Sequence, residues 1–447
     1  MSDPVVMQRG AVRILGFDSW TRGSHHFARL VDAFARRNAT LRLVHLGSWG
    51  NDVGRPVQER IGGLPATDIA FYGNSFERVL DVERPDAVIF LSTQTFAHRA
   101  FLRYCRQRGI PTLLLYHGLA SMQVTNDKRG SFRVARGAYA KFIWSKLAKT
   151  FRRTLPSYAG ALLRTRASAA DWRRFAGDIG RMVYGSGSWE LAKAADARAS
   201  RCAVYTNADV EHARRVFGFQ ALDVLAVGNP DLSRFGFAPD MLGCALRSSG
   251  SAPVQTVMYI DTGLIATGLV FESRKSFIDH ILNTARVLAA HGTTLLFKAH
   301  PGHDPEFLRD SFAGTGVELV SNEDFVPTLR ACAACIVEPT TLALVPALMG
   351  VPLLYANYGD LSELRYGPVL TSYPRGQLLR QIEAFPTVLA EVFATDRTGA
   401  TTEWAQLNSG PLPAEEMPDR VAELVLSMFA PAAQHSDGRR PLVSAAN

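Results

Sequence analysis

The stretch ACIVEPTTLALVPALMGVPLLYAN, residues 334–357, reads as a strand, a turn, a short helix and a second strand. It overlaps an uncharged run at 339–359, and about 20 apolar residues are enough to span a bilayer. Pro346, Gly350 and Pro352 interrupt this run, and proline and glycine break long helices. We therefore predict a buried β-α-β unit instead of a membrane span.

The same alternation of strand and helix patterns continues along the chain. Apolar, strand-like runs separated by amphipathic segments lie at 11–17, 40–47, 86–92, 110–118, 253–261 and 293–302. Strands that alternate with helices favour a mostly parallel, doubly wound sheet. Because 447 residues exceed the size at which one core usually stops growing, we expect two such domains. The predicted fold class is α/β, with two Rossmann-like domains facing a central cleft.

A Ser-, Gly- and Pro-rich segment at 242–253, LGCALRSSGSAP, predicts the boundary between the domains. We assign 1–245 to the N-terminal domain, with a helical insertion at about 122–200, and 246–430 to the C-terminal domain. The polar tail at 431–447 is predicted to be disordered.

The insertion carries most of the positive charge. Residues 127–181 contain 14 Lys or Arg and three acids, a net +11, whereas the whole chain is +8. Trp144 and its apolar neighbours alternate with lysines and arginines, as in a basic amphipathic helix. Two interpretations stay open: the helix packs on the first domain, or it binds an anionic membrane surface. No nucleic-acid motif accompanies the charge, so we expect no nucleic acid partner.

The overall composition is that of a soluble globular protein, with 47% hydrophobic and 20% charged residues. The five cysteines are scattered, and the CxxC at Cys332 and Cys335 is apolar, which favours buried, reduced thiols. The N-terminus lacks the apolar region of a secretory signal. We expect a cytoplasmic protein, peripheral on the inner face of the cell membrane if the insertion binds lipid.

Ligands of open parallel sheets bind at the carboxyl ends of the strands, so the residues there are the candidate site. In the second half these are Asp261, Gly263, Lys298, His300, Glu338, Thr340 and Thr341; in the first half they are Asp18, His25, His26 and His117. Thr340 and Thr341 open a helix, where free N–H groups and hydroxyls favour an anion. Taken alone, either threonine is equally well explained as an N-cap.

Together these motifs resemble the GT-B glycosyltransferase superfamily. The string KAHPG at 298–302 with PTT at 339–341 is similar to the His-Pro and Ser-Ser motifs of bacterial sialyltransferases and capsule Kdo transferases. It is also similar to the His-Pro segment of CDP-glycerol glycerophosphotransferases. The nearest match to the acidic-acidic-Gly motif of sialyltransferases is DTG at 261–263, in the second half and without the second acid, which argues against sialic acid as the donor sugar.

The resemblance implies roles for these residues. His300, with Pro301 beside it, would contact the phosphate or nucleotide of the donor and help the phosphate leave. Thr340 and Thr341 would hold that phosphate, and Glu338 would meet the ribose. The Glu-x7-Glu pattern of many retaining enzymes is absent, because Pro346 occupies the second position, and this favours inversion.

An inverting transfer needs a base on the first domain to take the proton of the acceptor hydroxyl. Asp18, His25 and His26 are the candidates, with His117 in reserve. A helix N-terminus favours the neutral, proton-accepting form of a histidine. Among the other histidines, His98, His291 and His303 are expected on surfaces or at caps.

We therefore predict an inverting GT-B glycosyltransferase that moves a sugar from a CMP- or UDP-type nucleotide-sugar to a lipid-linked or surface-polysaccharide acceptor, as in capsule or lipopolysaccharide biosynthesis. No Asp-x-Asp occurs, so we expect no metal and no other cofactor. Two alternatives remain: a UDP-sugar 2-epimerase, which would stay in the soluble fraction, and a non-catalytic glycan-binding or scaffolding protein, which would bind no nucleotide.

Overall fold

The structure is a computed structural model. It describes residues 11–19, 23–50, 54–119, 150–183, 195–248, 256–263, 271, 273–357 and 366–429. The predicted helix around Trp144 and the tail at 431–447 lie outside these residues.

The first domain is built on an eight-stranded sheet. Its strands are β1 (Val12–Asp18), β2 (Ala39–His45), β3 (Gln58–Ile61), β4 (Leu64–Asp68), β5 (Ala87–Phe90), β6 (Thr112–Leu115), β7 (Arg201–Val204) and β8 (Val224–Ala226). They lie in the order β3-β4-β2-β1-β5-β6-β7-β8, and every pair is parallel except β3 with β4. Both faces are apolar, because alternate residues of the central strands enter two different cores.

Short helices connect these strands. They are α1 (Ser24–Ala28), α2 (Val31–Ala35), α3 (Phe76–Glu83), α4 (Phe96–Gln107), α5 (Leu155–Arg164), α6 (Ala169–Val183), α7 (Asn207–Phe217) and α8 (Pro230–Arg234). The helical segment after β1 is divided into α1 and α2, and Gly23 is the residue before α1. Phe27 of α1 packs directly on Gly16 of β1, where a Cβ atom would lie 2.7 Å from the ring.

The described part of the insertion packs on the first domain. Tyr158 of α5 and Phe175 of α6 are buried against Phe96 of α4. Arg99 of α4 is fully buried and bonds Asp178 at 2.7 Å, and it also pairs with Asp196. Such an ion pair is tolerated in a core because both acids share the same guanidinium. For this part of the chain, the interpretation as a packed insertion holds.

The second domain is built on a six-stranded, all-parallel sheet. Its strands are β9 (Thr256–Ile260), β10 (Thr294–Lys298), β11 (Val317–Leu319), β12 (Ala334–Val337), β13 (Leu353–Ala356) and β14 (Gly376–Leu379), in the order β11-β10-β9-β12-β13-β14. The connecting helices are α9 (Arg274–Ala289), α10 (Pro305–Phe312), α11 (Phe325–Leu329), α12 (Leu344–Met349), α13 (Gly367–Thr371), α14 (Phe385–Ala394) and α15 (Thr398–Asn408). The opening stretch is indeed a β-α-β unit, formed by β12, α12 and β13.

The last helix, α16 (Met417–Ser427), returns to the first domain. Val421 and Val425 are buried in the core that lies on one face of the first sheet. Asp419 pairs with Arg36 at 2.8 Å and with Arg37, both at the end of α2. The end of the chain therefore joins the two sheets.

The predicted fold class is confirmed, since two α/β domains each contain a parallel sheet. No helix in the described part of the chain has the length and hydrophobicity needed to cross a membrane. Cys332 and Cys335 are both buried as free thiols, as expected, and burial raises the pKa of Cys332 to about 12.

Candidate active site

Two buried carboxylates lie at the ends of adjacent strands in the second domain. Asp261 follows β9 and Glu338 follows β12, and the two strands pair in register. Glu338 accepts hydrogen bonds from the Tyr259 hydroxyl (2.9 Å) and from the backbone N–H of Thr262 (3.0 Å). Burial and the nearby charge of Asp261 raise the pKa of Glu338, because two carboxylates this close do not both ionise readily. Glu338 is fully buried and supports the strand ends, and its contact with a ribose stays a prediction.

Asp261 organises the turn that contains the His-Pro pair. Its Oδ2 accepts the backbone N–H of His300 at 3.1 Å and lies 2.7 Å from Nε2 of His303. The backbone N–H of His303 donates to the carbonyl of His300 at 3.1 Å and closes the turn. His303 is buried and stacks on Phe277 at 5.4 Å. The expectation that His303 lies on a surface or at a cap is wrong, because its ring bonds Asp261 beneath the turn.

The ring of His300 is exposed, and its orientation is set by two glycines. The backbone N–H of Gly302 donates to Nδ1 of His300 at 3.0 Å, so the neutral ring carries its proton on Nε2. A Cβ atom on Gly263 would lie 2.6 Å from the same Nδ1, and Gly263 has φ +73°. Partial burial lowers the pKa of His300, whereas Asp261 acts in the opposite direction. The structure thus gives Gly263 a definite role, because only glycine leaves room for this ring.

Thr340 and Thr341 open the segment that leads into α12. Oγ1 of Thr340 accepts the backbone N–H of Leu342 at 3.2 Å, so Thr340 is the N-cap that the alternative interpretation expects. Both side chains are half-buried. A capping hydroxyl keeps its own O–H free to donate, so the cap and phosphate roles are compatible.

Lys298 points away from the His300 turn. Its ammonium group is buried, donates to Asn322 at 2.6 Å and lies over the rings of Phe235 and Phe325. Burial and the charge of Arg234 lower the pKa of Lys298 to about 8. This side chain helps to join the two domains, because Phe235 follows the last helix of the first domain, α8. Pro301 is exposed at the corner of the turn.

On the first domain, Asp18 lies at the end of β1 and is buried. Its Oδ1 accepts the backbone N–H of Ser19 at 2.6 Å, and a Cβ atom on Gly23 would overlap its Oδ2. The carboxylate therefore lies against the start of α1. This position suits a positioning role for the histidines of α1 better than proton transfer in the cleft.

Three imidazole rings lie together in the first domain. The rings of His25 and His26 are 4.0 Å apart, and those of His26 and His117 are 5.2 Å apart. His117 is held by the carbonyl of Leu91, 3.1 Å from its Nδ1. Burial lowers the pKa of His26 to about 2, with further contributions from His25 and His117. Of the predicted bases, His26 and His117 are therefore neutral at physiological pH.

The two domains meet beside His117. A Cβ atom on Gly118 would lie 3.3 Å from Cγ2 of Thr341, and Leu119 is buried in a core of the second domain. Gly118 has φ +111°, a conformation that favours glycine. The first-domain histidines and the threonines of the second domain therefore line the same cleft. They belong to its two walls, the first-domain wall and the second-domain wall. Among the described residues, no group of three or more His, Cys, Asp or Glu side chains is arranged to hold a metal ion.

Sequence reasoning missed two residues of this region. His303 could have been found from its spacing, because the third residue after a strand-terminal histidine closes a turn. Arg234 could not, because it lies on α8, more than a hundred residues along the chain from His26, whose pKa its charge lowers.

Comparisons with known proteins found distant similarity in structure but none in sequence. No model of a protein family matches the sequence, and no curated protein matches it. Solved structures that resemble it include a Methanocaldococcus jannaschii UDP-GlcNAc 2-epimerase with UDP-GlcNAc and UDP (10% identity, TM-score 0.45, covering 93% of this chain and 100% of that one). Another is the calicheamicin glycosyltransferase CalG4 (14%, 0.49, 94% and 99%). A third is a variant of the wall teichoic acid polymerase TagF (11%, 0.46, 94% and 89%). The two α/β domains described above, with sheets of eight and six strands, agree with the predicted GT-B fold.

Proposed function

We propose that this protein is an inverting, metal-independent glycosyltransferase that uses a nucleotide-sugar. The observation that carries the proposal is the contact of Gly118, next to His117, with Thr341 of the second domain, whose sheet carries His300 at the same edge. His26 is held neutral on the first domain, and His300 is held as the Nε2–H tautomer on the second. The first is a proton acceptor and the second a proton donor, which are the two groups that the transfer needs.

In the proposed reaction, the acceptor hydroxyl attacks the anomeric carbon of the donor as the bond to the phosphate oxygen breaks. His26 takes the hydroxyl proton, and His117 is the second candidate for this step. Nε2–H of His300 donates a hydrogen bond to the leaving phosphate, and the hydroxyls of Thr340 and Thr341 stabilise its charge. Attack from the side opposite the leaving group inverts the anomeric configuration.

The donor is proposed to be of the CMP or UDP type, and the acceptor a lipid-linked or surface polysaccharide of the capsule or lipopolysaccharide kind. The basic segment 127–181 would bring the enzyme to an anionic membrane on the cytoplasmic side. Arg152 and Arg153 are exposed within it, which supports this part. Replacing both by Gln should reduce the fraction that sediments with phosphatidylglycerol vesicles; unchanged sedimentation would contradict the membrane role.

Nucleotide binding tests the proposal directly. Thermal unfolding of the wild type and of His300→Ala would be followed with CMP, CDP, UDP and GDP. A ligand at about a hundred times its Kd adds about 2.7 kcal/mol to the stability of the folded state. We expect one nucleotide to stabilise the wild type and His300→Ala to lose this effect. His291→Ala is the matched control, because His291 is exposed at the end of α9.

The alternatives give different results in the same material. A 2-epimerase would convert a UDP-sugar in the absence of any acceptor, whereas a transferase leaves the donor sugar unchanged apart from slow hydrolysis. A glycan-binding protein would show no nucleotide effect in any variant. Either result would contradict the proposed transfer.

A further inference from the structure

The two chain connections between the domains run side by side. The first leaves Val227, which is buried in a first-domain core, and enters α8, whose Leu232 is buried in the second-domain core. The second runs in the opposite direction, from Ala414 in the second-domain core to Met417 in the first-domain core. Residues 227–232 and 411–417 therefore form one crossing. A movement of one domain relative to the other must change the backbone at this crossing.

Glycines bring the two connections into contact. A Cβ atom on Gly228 would lie 2.8 Å from the carbonyl oxygen of Pro411, and Gly228 has φ +98°. Gly410 comes just before the second connection and has φ +69°, and a Cβ atom there would overlap the carbonyl oxygen of Tyr205. In both cases the obstacle is backbone, which cannot turn aside as a flexible side chain does. The two connections therefore touch through their main chains.

Arg420 forms hydrogen bonds with both connections at once. Its Nη1 donates to the carbonyls of Val227 and Pro411, each at 3.1 Å. Its Nη2 donates to the carbonyl of Pro413 at 2.8 Å and to the carboxylate of Glu416 at 3.1 Å. The side chain is largely buried, with 21% of its surface exposed. Because the guanidinium group is planar and rigid, these four bonds hold their acceptors in one arrangement.

These bonds join the two domains. Arg420 itself lies on α16, whose Met417 and Val421 are buried in a first-domain core. The two prolines that accept its bonds alternate with Leu412 and Ala414, which pack on the second-domain core. The guanidinium group thus extends from a first-domain helix to a segment that is held by the second domain.

We propose that Arg420 is a positioning residue that holds the two walls of the cleft at the separation required for the transfer. The cleft depends on this separation, because Gly118, next to His117, contacts Thr341 of the second domain. Arg420 touches no substrate in the proposed reaction, and it acts through the placement of His117 relative to Thr341. This inference rests on the proposed function and adds to it a residue that keeps the two walls in register.

The first test measures the placement of the domains without any ligand. Spin labels would be attached at Leu163→Cys in the first domain and Phe393→Cys in the second, both at exposed positions. The background is Cys244→Ser, because the other four cysteines are buried. Pulsed electron resonance then gives the distribution of distances between the labels. We expect Arg420→Gln to broaden this distribution and to extend it to longer distances.

The matched control is Arg36→Gln. Arg36 also bonds α16, through Asp419 at 2.8 Å, and Asp419 is the neighbour of Arg420 in sequence. Both members of this ion pair belong to elements that pack on the first sheet, so its loss should leave the distances between the labels unchanged.

A second pair of variants keeps the test valid if Arg420→Gln does not fold. Gly228→Ala would place a Cβ atom 2.8 Å from the carbonyl oxygen of Pro411 and 3.0 Å from Nη1 of Arg420, so it pushes the two connections apart. It should broaden the distances in the same way. Gly236→Ala is its control, because Gly236 has φ +68° but nothing within 4 Å of its Cβ position.

Turnover and nucleotide affinity separate a positioning role from a general loss of stability. Arg420→Gln should lower kcat by about 10–100-fold, because small displacements of a catalytic group have effects of this size. The Kd of the nucleotide should be unchanged, since the proposed donor site is on the second domain. If no nucleotide binds, the proposed function fails, but the label distances still test the role of Arg420.

Three results would overturn the inference. The first is a distance distribution that neither Arg420→Gln nor Gly228→Ala changes. The second is equal broadening in Arg36→Gln, which would indicate a general loosening of α16. The third is an equal loss of turnover and of nucleotide affinity in Arg420→Gln, which would indicate destabilisation of the whole site.

Discussion

The two walls of the cleft use histidine in opposite ways. On the second domain, His300 belongs to a turn that is bonded to a buried carboxylate, Asp261, and its tautomer is fixed by a backbone N–H. On the first domain, the half-buried ring of His26 lies between two other imidazoles, at 4.0 Å from His25 and 5.2 Å from His117. The first arrangement is fixed by hydrogen bonds to the backbone, whereas the second consists of contacts between side-chain rings. The comparison indicates that the backbone preorganises the orientation of His300.

The largest effect on turnover is expected from replacing the proposed base of the first-domain wall, His26. His26→Gln keeps a polar side chain of similar size but cannot take a proton. We expect turnover to fall by about 10²–10⁴-fold, as is typical for loss of a general base. Nucleotide affinity should be unchanged, since the proposed donor site is on the second domain. His117→Gln is the informative comparison: if it has the larger loss, His117 is the base and the assignment of His26 is wrong.

The next effect should come from filling the space beside His300. Gly263→Ala places a Cβ atom 2.6 Å from Nδ1 of His300 and requires alanine at φ +73°. The ring must move, and we expect nucleotide affinity to fall by about 10–100-fold, since small misplacements of a site residue have effects of this size. Calorimetric titration of the nucleotide would measure this.

The control for this change is Gly314→Ala, which also has a positive φ, +70°, but has nothing within 4 Å of its Cβ position. Its backbone strain is comparable and its effect on the site is nil. Equal losses of affinity in both variants would show that strain alone, and not the displacement of His300, is responsible.

The two walls should also respond to pH with opposite signs. His26 has a pKa lowered to about 2, so the folded state binds fewer protons than the unfolded state below about pH 6.5. Stability from its neutral form is therefore lost as the pH falls from 6.5. Glu338 has a pKa raised to about 8, so its contribution is present below its ordinary pKa and is lost as the pH rises through the raised value.

Denaturant unfolding would measure the free energy of unfolding between pH 4.5 and 9, in steps of about half a pH unit. Below pH 6.5, His26→Gln should remove a contribution to the slope of at most about 1.4 kcal/mol per pH unit. Glu338→Gln should remove a contribution of opposite sign and similar bound between the ordinary pKa of a glutamate and about pH 8. His291→Gln, on an exposed histidine, should leave both slopes unchanged. Parallel curves for wild type and His26→Gln below pH 6.5 would contradict the neutral state of His26.

The difference between the two walls also explains which features of the site could be predicted from the sequence. The rule that strand ends carry the site located Asp18, His117, Asp261 and His300, because it depends only on the alternation of strands and helices. It could not give the direction of a side chain. Lys298 follows the same rule, but its ammonium group turns toward Asn322 and two aromatic rings.

Long-range packing was the other limit. The last helix, α16, is amphipathic in sequence, but nothing in its pattern states which sheet receives its apolar face. It packs on the first sheet through Val421 and Val425, far from its neighbours in sequence. Arg234 was missed for the same reason, because the effect of its charge on His26 depends on how segments far apart in sequence pack together. Local patterns thus identified the residues of the second-domain wall better than those of the first-domain wall, which is assembled from segments far apart in sequence.

The smallest effect on nucleotide affinity is expected from replacing His303, which supports the His300 turn. His303→Leu removes the bond to Asp261 and keeps an apolar group against Phe277. One internal hydrogen bond contributes about 0.5–1.5 kcal/mol, so nucleotide affinity should fall by about fivefold, with a smaller change in turnover. His303→Gln can still donate to Asp261 and should recover most of the loss. Because His303 touches no substrate in the proposed reaction, an unequal effect on the nucleotide Kd and on kcat distinguishes a positioning residue from a general loss of stability. Were the Gln variant as impaired as the Leu variant, the stack on Phe277, and not the bond to Asp261, would be what holds the turn.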